Sequence, residues 1–141
     1  MATVDVQQNF TLPVDRVYAY LSEHEHLGPL FGAKITRLKD GVTERNGVGS
    51  VRMLKIGPLP ALQETIVEAA PNALIRYRIT EGGQPIKDHE GVMRFTSTPD
   101  GGTHLDYTIN LGSSVPLVDR IVAAGLTRNI RRGLATVDSL A

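Results

Sequence analysis

Two segments near opposite ends of the chain alternate apolar and polar residues without a slip, and this constrains the fold more than any other feature. In the first, Val4, Val6, Gln8, Phe10 and Leu12 face one way and Thr3, Asp5, Gln7, Asn9 and Thr11 the other. In the second, Thr103, Leu105, Tyr107, Ile109 and Leu111 oppose His104, Asp106, Thr108 and Asn110. Period-two patterning of this kind specifies strands with one dry and one wet face, the habit of antiparallel sheets. Further strand-like runs lie near residues 34–40, 49–56, 62–70, 73–81 and 86–98, ahead of the last at 102–112. They are separated by the turn-forming stretches "DGVTERNGVG", "GPLP", "APNA", "EGGQP" and "TPDGG". Connections this short join antiparallel neighbours. Along one of these runs Ile75, Tyr77 and Ile79 oppose Arg76, Arg78 and Thr80, again leaving one dry face.

The period changes twice. After Pro13, which lacks the N–H that a strand ladder needs, "VDRVYAYLS" places Val14, Val17, Tyr18 and Leu21 at helical spacing, with Asp15 early, where the helix dipole favours a negative charge. "EHEHLGPLFG" then predicts a second short turn or helix. From Val115 to Leu140 the spacing predicts one long amphipathic helix with Val118, Ile121, Val122, Leu126, Ile130, Leu134 and Val137 as its apolar stripe. Arg120, Arg128, Arg131 and Arg132 fall largely off that stripe. The expected architecture is α+β: a curved seven-stranded antiparallel sheet wrapped around a long C-terminal helix, with two short helices after strand 1. With 141 residues, 41% hydrophobic and no linker or repeat, residues 1–141 read as one domain with a proper core.

Fifteen basic residues balance fifteen acidic ones, so no overall pull toward nucleic acid or anionic membrane exists, and no nucleic-acid partner is expected. The absence of cysteine removes disulfides, thiol nucleophiles and thiolate metal sites. "MATVDVQQNF" has neither the basic nor the apolar region of a signal peptide, and no run is long enough for a membrane span. The expectation is a soluble, cytoplasmic protein without integral membrane association. His24 and His26, two residues apart, diverge on a helix, and HExxH is absent, so no metal is expected. "GVGS" lacks the rest of a dinucleotide fingerprint, and no Walker or G-x-S-x-G sequence occurs. No cofactor is expected. The oligomeric state is left open by the patterning.

The order of elements, together with "FTLPVDRVYAYLSEHEHLGPLFG", "GVGSVRMLKIGP", "ETIVEAAPNALIRYRI", "HEGVMRF" and "GGTHLDYTINL", resembles the START-related, polyketide cyclase/dehydrase-type helix-grip superfamily. That resemblance implies a cavity between sheet and final helix. It also implies a role in lipid transport, hormone or steroid binding, or the cyclisation or dehydration of polyketide chains. Fold does not choose among these.

Candidate site residues follow from parity. In "PIKDHEGVMRF", His89, Gly91, Met93 and Phe95 share the inward face while Asp88, Glu90, Val92 and Arg94 face out. If that face lines a cavity, Gly91 leaves room for a ligand and His89 supplies a polar contact. Tyr77, Tyr107, Met93 and Ile109 join the wall, with Gln8 on the first strand and Tyr18 and His24 at the helical entrance. A lone inward histidine is more often a satisfied core residue than a catalyst. Arg52 and Glu64 occupy similar positions either side of "GPLP", but their strands do not alternate cleanly enough to settle their facing. Inward, they form a buried pair that orients a ligand or tunes His89; outward, they are a surface pair of little consequence.

Three function classes remain. The first is a binder or carrier of a small hydrophobic, lipid-, aromatic- or polyketide-like molecule in the internal cavity. The second is a cyclase or dehydratase with His89 as general acid/base, Glu64 as its substitute, and Tyr77, Tyr107 or Arg52 polarising a carbonyl. The third is a non-catalytic interaction subunit. Binding is the leading expectation, because no acid–base pair is specified by spacing alone.

Overall fold

The computed structural model describes all 141 residues. Seven strands, β1 (Ala2–Phe10), β2 (Lys34–Lys39), β3 (Val51–Lys55), β4 (Leu62–Ala70), β5 (Leu74–Glu81), β6 (Ile86–Ser97) and β7 (Thr103–Ser113), form one antiparallel sheet in the order β1-β7-β6-β5-β4-β3-β2. Both edges belong to the first two strands, so the chain must cross the whole sheet between them. It does so through α1 (Val14–Ser22), a 3₁₀ turn (His24–Leu27) and α2 (Gly28–Phe31). Gly32 ends α2 in the left-handed region at φ +62, returning its N–H to the carbonyl of Gly28.

The strands match the sequence pattern to within a few residues. Val4, Val6, Leu105, Tyr107, Ile109 and Leu111 are buried on the inner face, where α3 (Val118–Leu134) packs against β1, β7 and α2. On the wet face Arg76 bonds Glu68 and Glu90, and Arg78 bonds Glu90, across three strands.

The final helix departs from expectation. It begins only at Val118, after Leu117 in a left-handed conformation (φ +70), and breaks after Leu134. At the break the Thr136 N–H and hydroxyl both bond the Gly133 carbonyl, a tightened turn that precedes α4 (Val137–Leu140). In α4 the Asp138 carboxylate accepts from the N–H groups of Thr11 and Leu12, just past the end of β1. The expected stripe is also narrower: Ile130, Leu134 and Val137 are buried, whereas Ile121 is 71% exposed. Ala123 takes the inward place that Ile121 was expected to share.

One irregularity positions the site. β5 and β6 pair from Leu74↔Arg94 to Tyr77↔Gly91 and no further. Beyond that point β6 carries a bulge between Lys87 and Glu90, with Asp88 at φ +54, and the two strands part.

Candidate functional site

Arg52 and Glu64 face inward. They are direct cross-strand partners on β3 and β4, 2% and 4% exposed, with Arg52 Nε donating to Glu64 Oε1 at 2.9 Å. The guanidinium also lies over two aromatic rings, 4.7 Å from the Tyr77 centroid and 5.5 Å from that of Phe31. Its Nη2, however, is buried with no hydrogen-bond partner. A buried cation with an unused donor is costly, and this nitrogen is one of two buried polar side-chain atoms without a partner, the other being His24 Nδ1.

His89 arrives from the other side. Where β5 and β6 have parted, the Ile79 N–H has no carbonyl of β6 to bond, and it donates to His89 Nδ1 at 3.1 Å. That bond uses the Nδ1 lone pair and places the ring proton on Nε2, which faces Glu64 Oε2 at 3.7 Å. Burial, aided by the Arg52 charge and opposed by Glu64, lowers the pKa of His89 below the usual histidine value. The imidazole is therefore neutral at pH 7.

The Tyr77 ring stands 5.6 Å from His89, and its hydroxyl shares a short hydrogen bond with that of Tyr107, on β7. Burial raises both phenol pKa values, so both stay protonated. His24 completes the group from the 3₁₀ turn. Its Nε2 is 3.1 Å from the hydroxyl of Ser50, which itself donates to the Gly47 carbonyl. Nε2 must then carry the proton, leaving Nδ1 as a buried acceptor without a partner. Burial and the neighbouring Arg52 cation push His24 down to about 3.

Gly91 corrects an expectation. The room it leaves is taken by the Tyr77 ring: a Cβ built on Gly91 would lie 2.2 Å from Tyr77 Cζ. The glycine is there to let the phenol cross the strand toward Tyr107. Met93 and Ile109 are buried beside it, each 1% exposed, as core side chains. Gln8 and Tyr18 lie apart from the cluster. Gln8 is half-buried, and its side chain reaches only the Asn9 carbonyl. Tyr18 packs edge-on against Phe95, four residues or about 13 Å along β6 from Gly91. His26 turns away from His24 and stacks on Tyr20. Ser50 and Phe31 belong to the site yet went unnoticed in the sequence. Ser50 was visible only as the last letter of "GVGS", and Phe31 as an apolar residue in a turn.

The parted strands form a cleft of about 360 Å3 lined by Ile79, Thr80, Glu81, Gly82, Gln84, Ile86, Lys87, Asp88 and His89. It opens to solvent at the β5–β6 end and reaches His89, which stands between the cleft and the Arg52–Glu64 pair. Most of its lining is polar, unlike the apolar space expected between sheet and helix.

An open antiparallel sheet closed over a C-terminal helix, with ionisable groups held on its inner face, defines the helix-grip class. Over residues 1–141 the chain matches the family described as polyketide cyclase / dehydrase and lipid transport, and it belongs to that family. Among solved structures it is similar to a protein of Thermobifida fusca at 18% identity and TM-score 0.75, over 98% of this chain and 91% of that one. It is similar to a Nitrosospira multiformis protein at 17% identity and TM-score 0.72, over 96% and 94%. It is also similar to truncated norcoclaurine synthase of Thalictrum flavum at 14% identity and TM-score 0.73, over 96% and 92%. At these identities the likeness is one of fold. No curated protein matches the chain. No helix is long and apolar enough to cross a membrane.

Proposed function

We propose that the chain binds a small, mainly apolar molecule carrying a carbonyl or anionic oxygen, its apolar part against the inner face of the sheet and its oxygen turned to Arg52. The observation that carries this reading is the buried Arg52 Nη2 with no partner. An oxygen acceptor there would give this buried donor a partner without disturbing the Arg52 Nε bond to Glu64. The ligand enters by the β5–β6 cleft, displacing the His89 ring from the Ile79 N–H. The matched family, whose description joins polyketide cyclases, dehydrases and lipid transport, supports the apolar class of ligand.

Titration with anilinonaphthalene sulfonate and with its uncharged analogue phenylnaphthylamine tests the proposal. Both should saturate near one per chain. The double variant Arg52→Met/Glu64→Leu, which removes the charge pair together, should weaken the sulfonate far more than the neutral probe. Equal losses would remove Arg52 from the site, and no binding of either probe would give the lead to a non-catalytic interaction role.

A second reading is favoured by the tautomer of His89. With Nδ1 engaged by Ile79, the ring offers a proton from Nε2 and no free lone pair, so the base in an enzyme of this geometry is Glu64. Glu64 would take a proton from the carbon beside a substrate carbonyl while His89 Nε2–H and Arg52 hold the enolate oxygen. The name of the Thalictrum flavum synthase, a fold neighbour, is compatible with such a use of the fold. His89→Phe separates the readings. A carrier whose ligand oxygen rests on Arg52 keeps its affinity and converts nothing with or without His89, whereas an enzyme keeps affinity but loses the single-turnover conversion of an enolisable polyketide-like substrate that the wild type performs.

A further inference from the structure

The outward face of α3 carries Leu117, at the helix start, with Arg120, Ile121, Ala124, Arg128, Arg131 and Arg132, all exposed. At 100° per residue these positions fall within an arc of roughly 120°. Not one of them is acidic. The single acid of the helix, Asp119, is buried. Of the seven arginines elsewhere, Arg37, Arg45, Arg52, Arg76 and Arg78 are each held by at least one carboxylate and Arg16 bonds the Ala141 carbonyl, leaving Arg94 as the one without a partner. Arg120, Arg128, Arg131 and Arg132 make no ion pair and no side-chain hydrogen bond. In a chain with balanced charge, α3 is the one element that gathers four arginines without a carboxylate on a single face.

That face is also apolar at one end. Leu117 and Ile121 are 60% and 71% exposed, and Val115 just before them is 46% exposed. They stand beside the β5–β6 loop, because the Ser114 N–H bonds the Pro85 carbonyl at 2.9 Å.

We propose that this face docks on an anionic lipid surface. Guanidinium groups on long apolar stems sit at the level of lipid phosphates, and aliphatic tips between them insert just below the headgroups. A nucleic acid offers phosphates for the arginines but nothing for Leu117 and Ile121, whereas a bilayer surface receives both kinds of group. Docked in this way, the helix turns the neighbouring β5–β6 loop and cleft mouth toward the lipid. The inference stands on the helix face alone and does not depend on what the interior binds.

The test is co-sedimentation with vesicles of phosphatidylcholine alone and of phosphatidylcholine and phosphatidylglycerol in equal parts. The protein should pellet with the anionic vesicles only, and less so as salt rises. Arg128→Gln/Arg131→Gln/Arg132→Gln should lower the partition coefficient about a hundredfold, near fivefold for each arginine. Leu117→Ser/Ile121→Ser should lower it independently with all charges in place. These side chains are exposed, so both variants should keep the wild-type circular dichroism spectrum and melting temperature. Failure to pellet with anionic vesicles overturns the proposal. So does undiminished pelleting of the arginine variant, or DNA competing fully while the Leu117/Ile121 variant behaves as wild type, which would mark a general polyanion site.

Discussion

Acidification should weaken the fold through His24 before any carboxylate titrates. The folded value of about 3 lies well below the ordinary histidine value of 6.5, so between the two the unfolded chain holds a proton that the native chain refuses. Stability from this residue is complete above the unfolded pKa and is lost as pH falls toward the folded one. At about pH 5 the loss, RT ln[(1+10^1.5)/(1+10^−2)], is about 2 kcal/mol, and over the whole window it approaches about 5 kcal/mol. The physical cause is on the ring itself: protonating Nδ1 creates a buried N–H with no acceptor, next to the Arg52 cation. Urea unfolding of wild type and His24→Gln near neutrality and near pH 5 isolates the contribution, since every other titrating group is common to both chains. The glutamine amide can still donate to Ser50 while having no proton to gain. Wild type should lose about 2 kcal/mol more than the variant on acidification. Parallel losses in the two proteins would refute the assignment of a neutral, unpaired Nδ1.

Gly91→Ala should destabilise by about 1–3 kcal/mol, because the new methyl meets the Tyr77 ring, and Tyr77→Leu in the same chain should recover part of the loss in thermal melts. Glu64→Gln should cost about 3–5 kcal/mol by stranding the Arg52 charge, whereas Arg52→Met/Glu64→Leu should cost much less, as a denaturant double-mutant cycle would reveal. Asp138→Ala should lower stability by about 1 kcal/mol by freeing the Thr11 and Leu12 N–H groups, with the difference from wild type vanishing in acid, where the lowered carboxylate pKa is finally crossed.

The strands, their antiparallel pairing and their dry face were legible because side-chain alternation is a local consequence of the pleat: Val4, Val6, Leu105 and Tyr107 declare their facing from sequence position alone. The inward parity of Tyr77, Tyr107 and His89 came from the same rule. Parity says which face a residue shares, and not what fills the space opposite it. Gly91 and Tyr77 show the difference, since room left by one strand was taken by a ring from its neighbour once register brought the two together. Ile121 and the break after Leu134 belong to the same class, because helical period continues through both, and only packing against α2 and the need to cap β1 end it. Arg52 and Glu64 required the tertiary structure altogether. On short strands with poor alternation nothing local chooses a face, and the choice was made by partners distant in sequence: a carboxylate one strand away, the rings of Phe31 and Tyr77, and a histidine freed from the ladder by a bulge.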